Sequence, residues 1–155
     1  MKGNDKVIAV LNALLSDELT AISQYMVHSE MCANWRFDKL HGAIEKRAMD
    51  EMKHAEKHIG RILFLEGVPI VSSLKKMSIG PDVETQIKND RAAETDAIQA
   101  YNEAIHLAVE CADNGTREML EGILLDEEAH LDWLEAQLDQ IGLLGIQIYL
   151  SEQVG

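Results

Sequence analysis

DEMKH at Asp50–His54 and DEEAH at Asp126–His130 share the pattern Asp-Glu-x-x-His. The two stretches lie 76 positions apart in a chain of 155 residues. In a helix, a Glu and a His three residues apart lie on the same face. The repeat therefore indicates two helices that each present one carboxylate and one imidazole to the same side.

The same offset relates residues outside the two pentapeptides. Glu18 corresponds to Glu94 and Tyr25 to Tyr101, whereas most other residues match poorly. Polar residues that repeat within weakly similar helices indicate two helical hairpins, each supplying half of one site. Glu18 lies on the helical stripe that includes Leu14 and Tyr25, so it is predicted to point into the core.

The spacing of apolar residues predicts four long helices and a short tail helix. The long helices cover about residues 5–35, 40–65, 82–113 and 116–141, and the tail reads IQIYLSEQ. Asp82 is the predicted N-cap of the third helix. Asn114-Gly115 predicts a turn before the fourth helix, and Gly142 and Gly145 predict its end.

The one long connection is EGVPIVSSLKKMSIGP, residues 66–81, which contains both prolines of the chain. Helices of this length extend about 40 Å, and about 16 extended residues can run that far. This favours a crossover that leaves the second and third helices parallel, with a loose surface loop as the alternative. The predicted fold is all-α: a four-helix bundle in a single domain, residues 1–155, with a long crossover between helices 2 and 3 and a short C-terminal fifth helix.

The formal net charge of −13 limits the partners of the chain. A nucleic acid or an anionic membrane would be repelled, so we expect neither, whereas cations are favoured. The alternative is that the acidity serves only solubility. Cys32 and Cys111 have no CxxC spacing and indicate free thiols in a reducing compartment. No signal peptide is recognisable and no stretch approaches the roughly 18 residues that span a bilayer, so we expect a cytoplasmic protein.

Six side chains are predicted to meet at one level of the core. Glu18 and Glu51 lie at similar distances from the first turn, so the chain returns to the same height. Their counterparts in the second hairpin repeat this relation. The six are Glu18, Glu51, His54, Glu94, Glu127 and His130. Taken singly, each is ordinarily a solvated group on an amphipathic helix, but four carboxylates in a core are costly unless they are compensated.

Two divalent cations would neutralise four buried carboxylates. Glu51 and Glu127 are predicted to bridge the cations. The other four ligands divide into one carboxylate and one imidazole for each cation: Glu18 with His54, and Glu94 with His130. Carboxylate and imidazole donors without a thiolate suit iron or manganese, with zinc as a redox-inert occupant. This ligand set is the one found in ferritin-like di-iron proteins.

The surroundings of the six side chains are predicted from the same helix faces. Tyr25 and Tyr101 follow the first Glu of each hairpin by two helical turns and are placed to hydrogen-bond a ligand carboxylate, with core packing as the alternative. Asp50 and Asp126 are predicted either to contact the ligands from outside or to face a cavity. His58 has no counterpart in the repeat and is predicted to be a surface histidine.

Met52 breaks the symmetry of the two pentapeptides, because its counterpart is Glu128. It points about 100° away from Glu51 and so away from the predicted metal face. A neighbouring apolar stripe on the first helix comprises Leu15, Leu19, Ile22 and Met26. Together they predict an apolar surface for a subunit interface. A thioether in this place either fills a gap between subunits or ligates a haem iron.

In its motifs, the sequence resembles the bacterioferritins. The similar stretches span essentially the whole chain: MKG, DELTAISQY, DEMKHAE, RILFLEG, DEEAHLDWLE and IQIYL. The resemblance implies a hollow shell of 24 subunits that oxidises Fe²⁺ with O₂ or H₂O₂ at the six-residue di-iron centre and stores ferric mineral inside. It also implies Met52 as the ligand of haem b, one from each of two subunits across a two-fold axis, and a small ferredoxin that supplies electrons for iron release.

Two other functions fit parts of the pattern. A di-iron peroxidase of the rubrerythrin type would use the same ligands, although such proteins usually carry a rubredoxin module with paired CxxC motifs, which this sequence does not contain. A metal-free structural bundle would make the Glu and His residues a chance set. Iron storage with ferroxidase activity is the main hypothesis.

Overall fold

The computed structural model describes residues 1–155 and contains five helices and no strand. The bounds are α1 Asp5–Asn34, α2 Asp38–Phe64, α3 Val83–Glu110, α4 Asn114–Leu144 and α5 Ile146–Ser151. This order confirms the prediction of an all-α bundle with four long helices and a short fifth helix. The one long connection lies between α2 and α3, as the sequence indicated.

Two helical hairpins, α1 with α2 and α3 with α4, form the bundle. Two apolar clusters fill its interior at different heights. The first cluster is built around Leu11, Leu15, Ile62 and Leu120. The second cluster is built around Ile44, Ile87, Leu134 and Ile141. Between these clusters lies the layer of the core that contains the polar residues of the repeat.

Acidic caps set where α3 and α4 begin. Asp82 accepts a hydrogen bond from the backbone N–H of Thr85 at 2.8 Å, which confirms it as the N-cap of α3. Asp113 accepts from the backbone N–H of Thr116 at 3.1 Å and caps α4 in the same way. The predicted turn at Asn114–Gly115 is therefore wrong, because these are the first two residues of α4.

The fourth helix ends later than predicted. Gly142 lies inside α4, and Gly145 alone ends the helix, with a φ of 79°. A positive φ of this size strains residues that have a Cβ, so glycine suits the position. The turn directs the chain into α5, where Tyr149 is buried and donates a hydrogen bond to Gln137 Oε1 at 2.7 Å.

The crossover between α2 and α3 runs as an extended segment along α1. A polar ladder on α1, with one residue at every fourth position, holds it: Asn12, Ser16, Thr20, Gln24 and His28. Four helical residues rise about 6 Å, and two to three extended residues span a similar distance. The spacing of the polar ladder therefore matches the spacing of backbone groups along the crossover.

The hydrogen bonds of the polar ladder fix the direction of the crossover. Asn12 and Ser16 donate to the carbonyls of Val68 and Ser73 at 3.1 and 2.6 Å. The N–H groups of three crossover residues donate to the remaining rungs: Lys75 to Thr20 at 2.9 Å, Ser78 to Gln24 at 3.0 Å and Gly80 to His28 at 3.0 Å. Because both segments advance together, α2 and α3 are parallel. The predicted crossover is confirmed, and the alternative of a loose loop is wrong.

Asp90 on α3 ties the end of the polar ladder to the second hairpin. Its Oδ1 accepts from Gln24 Nε2 at 2.8 Å and from His28 Nδ1 at 2.9 Å. All three side chains are buried, and burial raises the pKa of Asp90 despite these contacts. The polar residues of α1 thus connect the crossover to α3 through a buried network.

By length and hydropathy, α1 is the one helix that could cross a membrane. This corrects the expectation that no stretch approaches that length. Of the residues in its most apolar window, 44% are buried in the bundle, and the helix also carries the polar ladder. The core helix of a bundle passes the same test of length and composition. Packing within the bundle therefore explains the apolar character of α1.

We predict that Thr20→Val, which keeps the side-chain shape, loosens the crossover. Losing the bond from Lys75 N–H lowers the free energy of local opening by about 1–2 kcal/mol, so tryptic cleavage after Lys75 or Lys76 becomes roughly tenfold faster. Ser23→Ala is the matched control, since that hydroxyl donates only to the carbonyl of Leu19 within α1. Mass spectrometry of early digestion products measures both rates. Equal rates in the two variants would show that the polar ladder does not hold the crossover.

Candidate metal centre

The layer between the two apolar clusters contains the six side chains that the sequence singled out. α1 and α3 contribute one Glu each, and α2 and α4 contribute one Glu and one His each: Glu18, Glu94, Glu51 with His54, and Glu127 with His130. None of the six is more than 3% exposed. The structure therefore brings both halves of the repeat to one buried site.

The six side chains form two overlapping groups of potential metal ligands. The first group comprises Glu18, Glu51, His54 and Glu127, and the second comprises Glu51, Glu94, Glu127 and His130. Within each group, one ligand atom from every residue lies within 4.8 Å of the others. Glu51 and Glu127 belong to both groups, whereas each remaining residue belongs to one. This is the division between bridging and terminal ligands that two adjacent cations require.

Both imidazole rings direct Nδ1 into the site. His54 Nδ1 lies 2.8 Å from Glu127 Oε1 and 3.4 Å from Glu51 Oε2. His130 Nδ1 lies 3.0 Å from Glu51 Oε1 and 3.7 Å from Glu127 Oε2. The two rings are stacked with their centroids 6.3 Å apart. Each ring therefore contacts both of the shared carboxylates through the same nitrogen.

The outer nitrogen of each ring contacts an Asp from the other hairpin. His54 Nε2 lies 2.9 Å from Asp126 Oδ2, and His130 Nε2 lies 3.4 Å from Asp50 Oδ2. A carboxylate on one ring nitrogen favours the tautomer with its proton there and leaves the other nitrogen as a metal ligand. Of the two roles predicted for Asp50 and Asp126, the contacts match the one in which they orient the ligands from outside.

Two buried tyrosines hold the terminal carboxylates, also across the hairpins. The hydroxyl of Tyr25 donates to Glu94 Oε1, and the hydroxyl of Tyr101 donates to Glu18 Oε1. Burial, and then the nearby carboxylates, raise the pKa of both phenols well above the ordinary value, so both remain protonated donors. Each terminal Glu is thus fixed by one oxygen and has its second oxygen available.

Five buried polar atoms of the site make no hydrogen bond of suitable geometry, although three of them lie within about 3 Å of an opposite group. They are Glu18 Oε2, Glu51 Oε1, Glu94 Oε2, Glu127 Oε1 and His130 Nδ1. Buried polar atoms are almost always satisfied in folded proteins. All five belong to the two ligand groups, and coordination of cations would satisfy them together. The residues therefore fit a pair of cations.

His58 is completely buried, so its prediction as a surface histidine is wrong. Its Nε2 lies 2.6 Å from the hydroxyl oxygen of Tyr101, and the two rings stack with centroids 5.8 Å apart. Burial lowers the pKa of His58 to about 4, so the ring is neutral and donates from Nε2 to the phenol. His58 therefore positions Tyr101, which binds Glu18. Its spacing of four residues from His54, one helical turn, was the available sequence signal.

Burial and mutual contacts shift the protonation of the site. Burial raises the pKa of Glu51 well above its ordinary value and that of Glu94 to about 8. Burial alone would lower the pKa of His130, but the carboxylates packed around its ring, chiefly Glu127, raise it to about 11. Close contacts with Glu94 and both imidazoles outweigh burial and lower the pKa of Glu127. Protons thus compensate part of the negative charge, and a bound cation would displace them.

Comparison with known proteins identifies the family. A family model described as a ferritin-like domain matches residues 8–144. A bacterioferritin of Rhodobacter capsulatus is 42% identical over 147 residues, which cover 95% of this chain and 91% of that protein. The chain belongs to the bacterioferritins. A bacterioferritin of Mycolicibacterium paratuberculosis is 39% identical over 154 residues, covering 99% of this chain and 97% of that protein.

In this member of the bacterioferritins, a cavity of about 180 Å³ leads from the surface to the site. All four carboxylates of the centre line it, and the exposed residues Lys76 and Asp96 line its outer part. Asp17 and Lys75 form an ion pair beside the opening. A small cation therefore has a direct path to the carboxylates from outside the bundle.

Met52 lies on the side of α2 that faces away from the metal centre. Its side chain is 39% exposed in a groove of about 270 Å³ that is also lined by Ile22, Met26 and Met49. Leu15 is completely buried, so its predicted place on this surface stripe is wrong. The groove presents a thioether among apolar side chains, which fits an apolar planar group.

We predict that Asp126→Ala weakens cation binding at His54 by about 10- to 100-fold, because Asp126 orients the ring that presents Nδ1. The matched control is Glu128→Ala on the same helix turn, where the exposed carboxylate makes no hydrogen bond or ion pair. Titration of the metal-stripped protein with Co²⁺, followed by absorbance and calorimetry, gives both affinities. An orienting role for Asp126 is contradicted when the two variants bind equally well.

Proposed function

We propose that this chain is the subunit of an iron-storage protein that oxidises Fe²⁺ to Fe³⁺ at a dinuclear centre within each subunit. The observation that carries the proposal is the pair of overlapping ligand groups that share Glu51 and Glu127. Membership in the bacterioferritins supports iron storage. We infer one ferritin-like domain over residues 1–155, because the family model and the helices leave only short terminal segments outside.

The donor set supports iron as the substrate. Each ion would receive one imidazole, one terminal carboxylate and a share of both bridging carboxylates: His54 and Glu18 for one, His130 and Glu94 for the other, with Glu51 and Glu127 between them. Oxygen and imidazole donors without thiolates suit Fe²⁺, and four carboxylates balance two divalent charges. Two Fe²⁺ ions held side by side supply two electrons to O₂ or H₂O₂.

The protein residues bind the ions and hold the ligands in place. Tyr25 and Tyr101 each restrain one oxygen of a terminal Glu, so that the second oxygen faces the ion. Asp50 and Asp126 keep the rings in the tautomer that presents Nδ1. The cavity lined by the four carboxylates is the proposed route by which the ions and the oxidant reach the centre.

Assembly into a shell of 24 subunits is part of the proposal. Exposed apolar side chains on α1 and α2, among them Met26, Met49 and Met52, form a surface of the kind that subunit interfaces bury. The net charge of −13 favours cations such as Fe²⁺ and disfavours nucleic acid and anionic membranes. We propose the cytoplasm as the site of action, in keeping with two free thiols.

Haem b at the two-fold interface is the second cofactor that we propose. The thioether of Met52, one from each subunit, would ligate the iron, and Ile22, Met26 and Met49 would contact the ring from the groove. A haem held there would supply a one-electron redox group at the subunit interface. A small ferredoxin is the proposed electron donor for iron release.

We predict that Glu18→Ala and His130→Ala each slow the rapid phase of Fe²⁺ oxidation by at least about 100-fold, because each removes a terminal ligand. His106→Ala is the control, since His106 is exposed on α3 and pairs only with Glu110. Stopped-flow absorbance after mixing Fe²⁺ with the assembled protein in air measures the rate. Unchanged kinetics in both ligand variants would remove the dinuclear centre from the proposal.

We predict that Met52→Leu abolishes the Soret absorbance of the purified protein, because leucine keeps the volume and lacks the sulfur ligand. Met49→Leu is the matched control, since Met49 lines the same groove and is 50% exposed. Visible spectra of both variants, after reconstitution with haem and size-exclusion chromatography, make the comparison. A Soret band that survives in Met52→Leu and is lost in Met49→Leu would assign the ligand to Met49 instead.

A further inference from the structure

A second group of metal-ligating side chains lies outside the dinuclear centre. Glu30, near the end of α1, approaches His41 and Glu45, which lie one helical turn apart near the start of α2. One ligand atom from each of the three lies within 4.8 Å of the others, and His41 Nε2 is 3.4 Å from Glu45 Oε2. Two ligands at i and i+4 on one helix and a third from a neighbouring helix is a common construction for a three-ligand metal site.

A buried serine fixes the orientation of the His41 ring. His41 Nδ1 lies 3.1 Å from the backbone carbonyl oxygen of Ser29 and 2.9 Å from its Oγ. The hydroxyl of Ser29 donates in turn to the carbonyl of His41 at 3.1 Å, so Oγ accepts from the ring. Since both neighbours of Nδ1 are acceptors, Nδ1 carries the proton. With Nδ1 occupied by these contacts, Nε2 is the ring nitrogen left to bind a cation, and it lies beside Glu45 Oε2.

No basic side chain balances the two carboxylates. Neither Glu30 nor Glu45 forms an ion pair with a Lys or Arg, and the last turn of α1 contains no basic residue. At the equivalent positions of the second hairpin, Arg117 and Glu121 form an ion pair at 3.8 Å instead. Only the first hairpin thus combines three potential ligands with no competing cation.

We propose that Glu30, His41 and Glu45 bind one divalent transition-metal cation, of the class that includes Zn²⁺ and Fe²⁺. One imidazole and two carboxylates are suitable donors for these ions, and water would complete the coordination of a partly exposed site. The site is separate from the dinuclear centre and does not depend on the proposed function. It adjoins the groove of Met52, because Glu30 and Glu45 also line that groove.

The test is a Co²⁺ titration of the assembled, metal-stripped protein, with stoichiometry from calorimetry and coordination from the visible spectrum. We expect His41→Ala to bind one Co²⁺ fewer per chain than the unaltered protein, while the rapid phase of Fe²⁺ oxidation is retained. His106→Ala is the matched control, because His106 Nε2 lies 3.1 Å from Glu110 Oε1 at the same i,i+4 spacing but without a third ligand. It should bind as many Co²⁺ ions as the unaltered protein.

A further variant examines the ring orientation. Ser29→Ala leaves all three ligands in place and removes a partner of Nδ1, so we expect the affinity for this Co²⁺ to fall about tenfold with unchanged stoichiometry. The proposal is overturned when His41→Ala binds as many Co²⁺ ions as the unaltered protein, or when His41→Ala and His106→Ala lose binding equally, which would indicate adventitious surface binding. Either result leaves the dinuclear centre unaffected, since Fe²⁺ oxidation is measured separately.

Discussion

Four carboxylates buried in the middle of the bundle are the constraint on which the rest of the structure depends. A buried charge costs several kcal/mol unless hydrogen bonds and opposite charges compensate it. Tyr25 and Tyr101 each bind one oxygen of a terminal Glu, and two imidazoles contact the shared carboxylates. The oxygens that remain without partners all face the same space. A pair of cations would satisfy the carboxylate oxygens that the protein groups leave without a hydrogen bond.

The path of the crossover determines which side chains of one hairpin contact the metal-centre ligands of the other. Because the polar ladder aligns the crossover with α1, α2 and α3 run parallel and the two hairpins meet with their equivalent levels together. Every outer contact of the centre then joins one hairpin to the other: Tyr25 to Glu94, Tyr101 to Glu18, Asp126 to His54 and Asp50 to His130. Metal binding at such a centre is coupled to the docking of the hairpins.

Periodicity and the offset of 76 positions were sufficient to predict the bundle and the six central residues, because helix faces follow directly from spacing. The same approach missed contacts that depend on how the helices dock. Spacing predicts a surface position for His58, but its phenol partner Tyr101 lies on α3, 43 positions away, where only the docking of the helices reveals it. The polar ladder cannot be predicted from the sequence, because its partners on the crossover are backbone N–H and C=O groups, which every residue type offers alike. Asn114–Gly115 predicts a turn, but the preceding Asp113 caps α4, so the helix already begins at Asn114.

The two pentapeptides, DEMKH and DEEAH, agree at the positions that face the metal centre and differ at the positions that face outward. Asp, Glu and His face one shared site in both hairpins, and their positions agree. The middle residues face outward into different surroundings, so Met52 lies in an apolar groove whereas Glu128 is exposed to solvent. The same reasoning separates Glu30, His41 and Glu45 from their counterparts in α3 and α4, where an arginine replaces the imidazole. The shared centre constrains the inner faces, and properties specific to one hairpin arise on the outer faces.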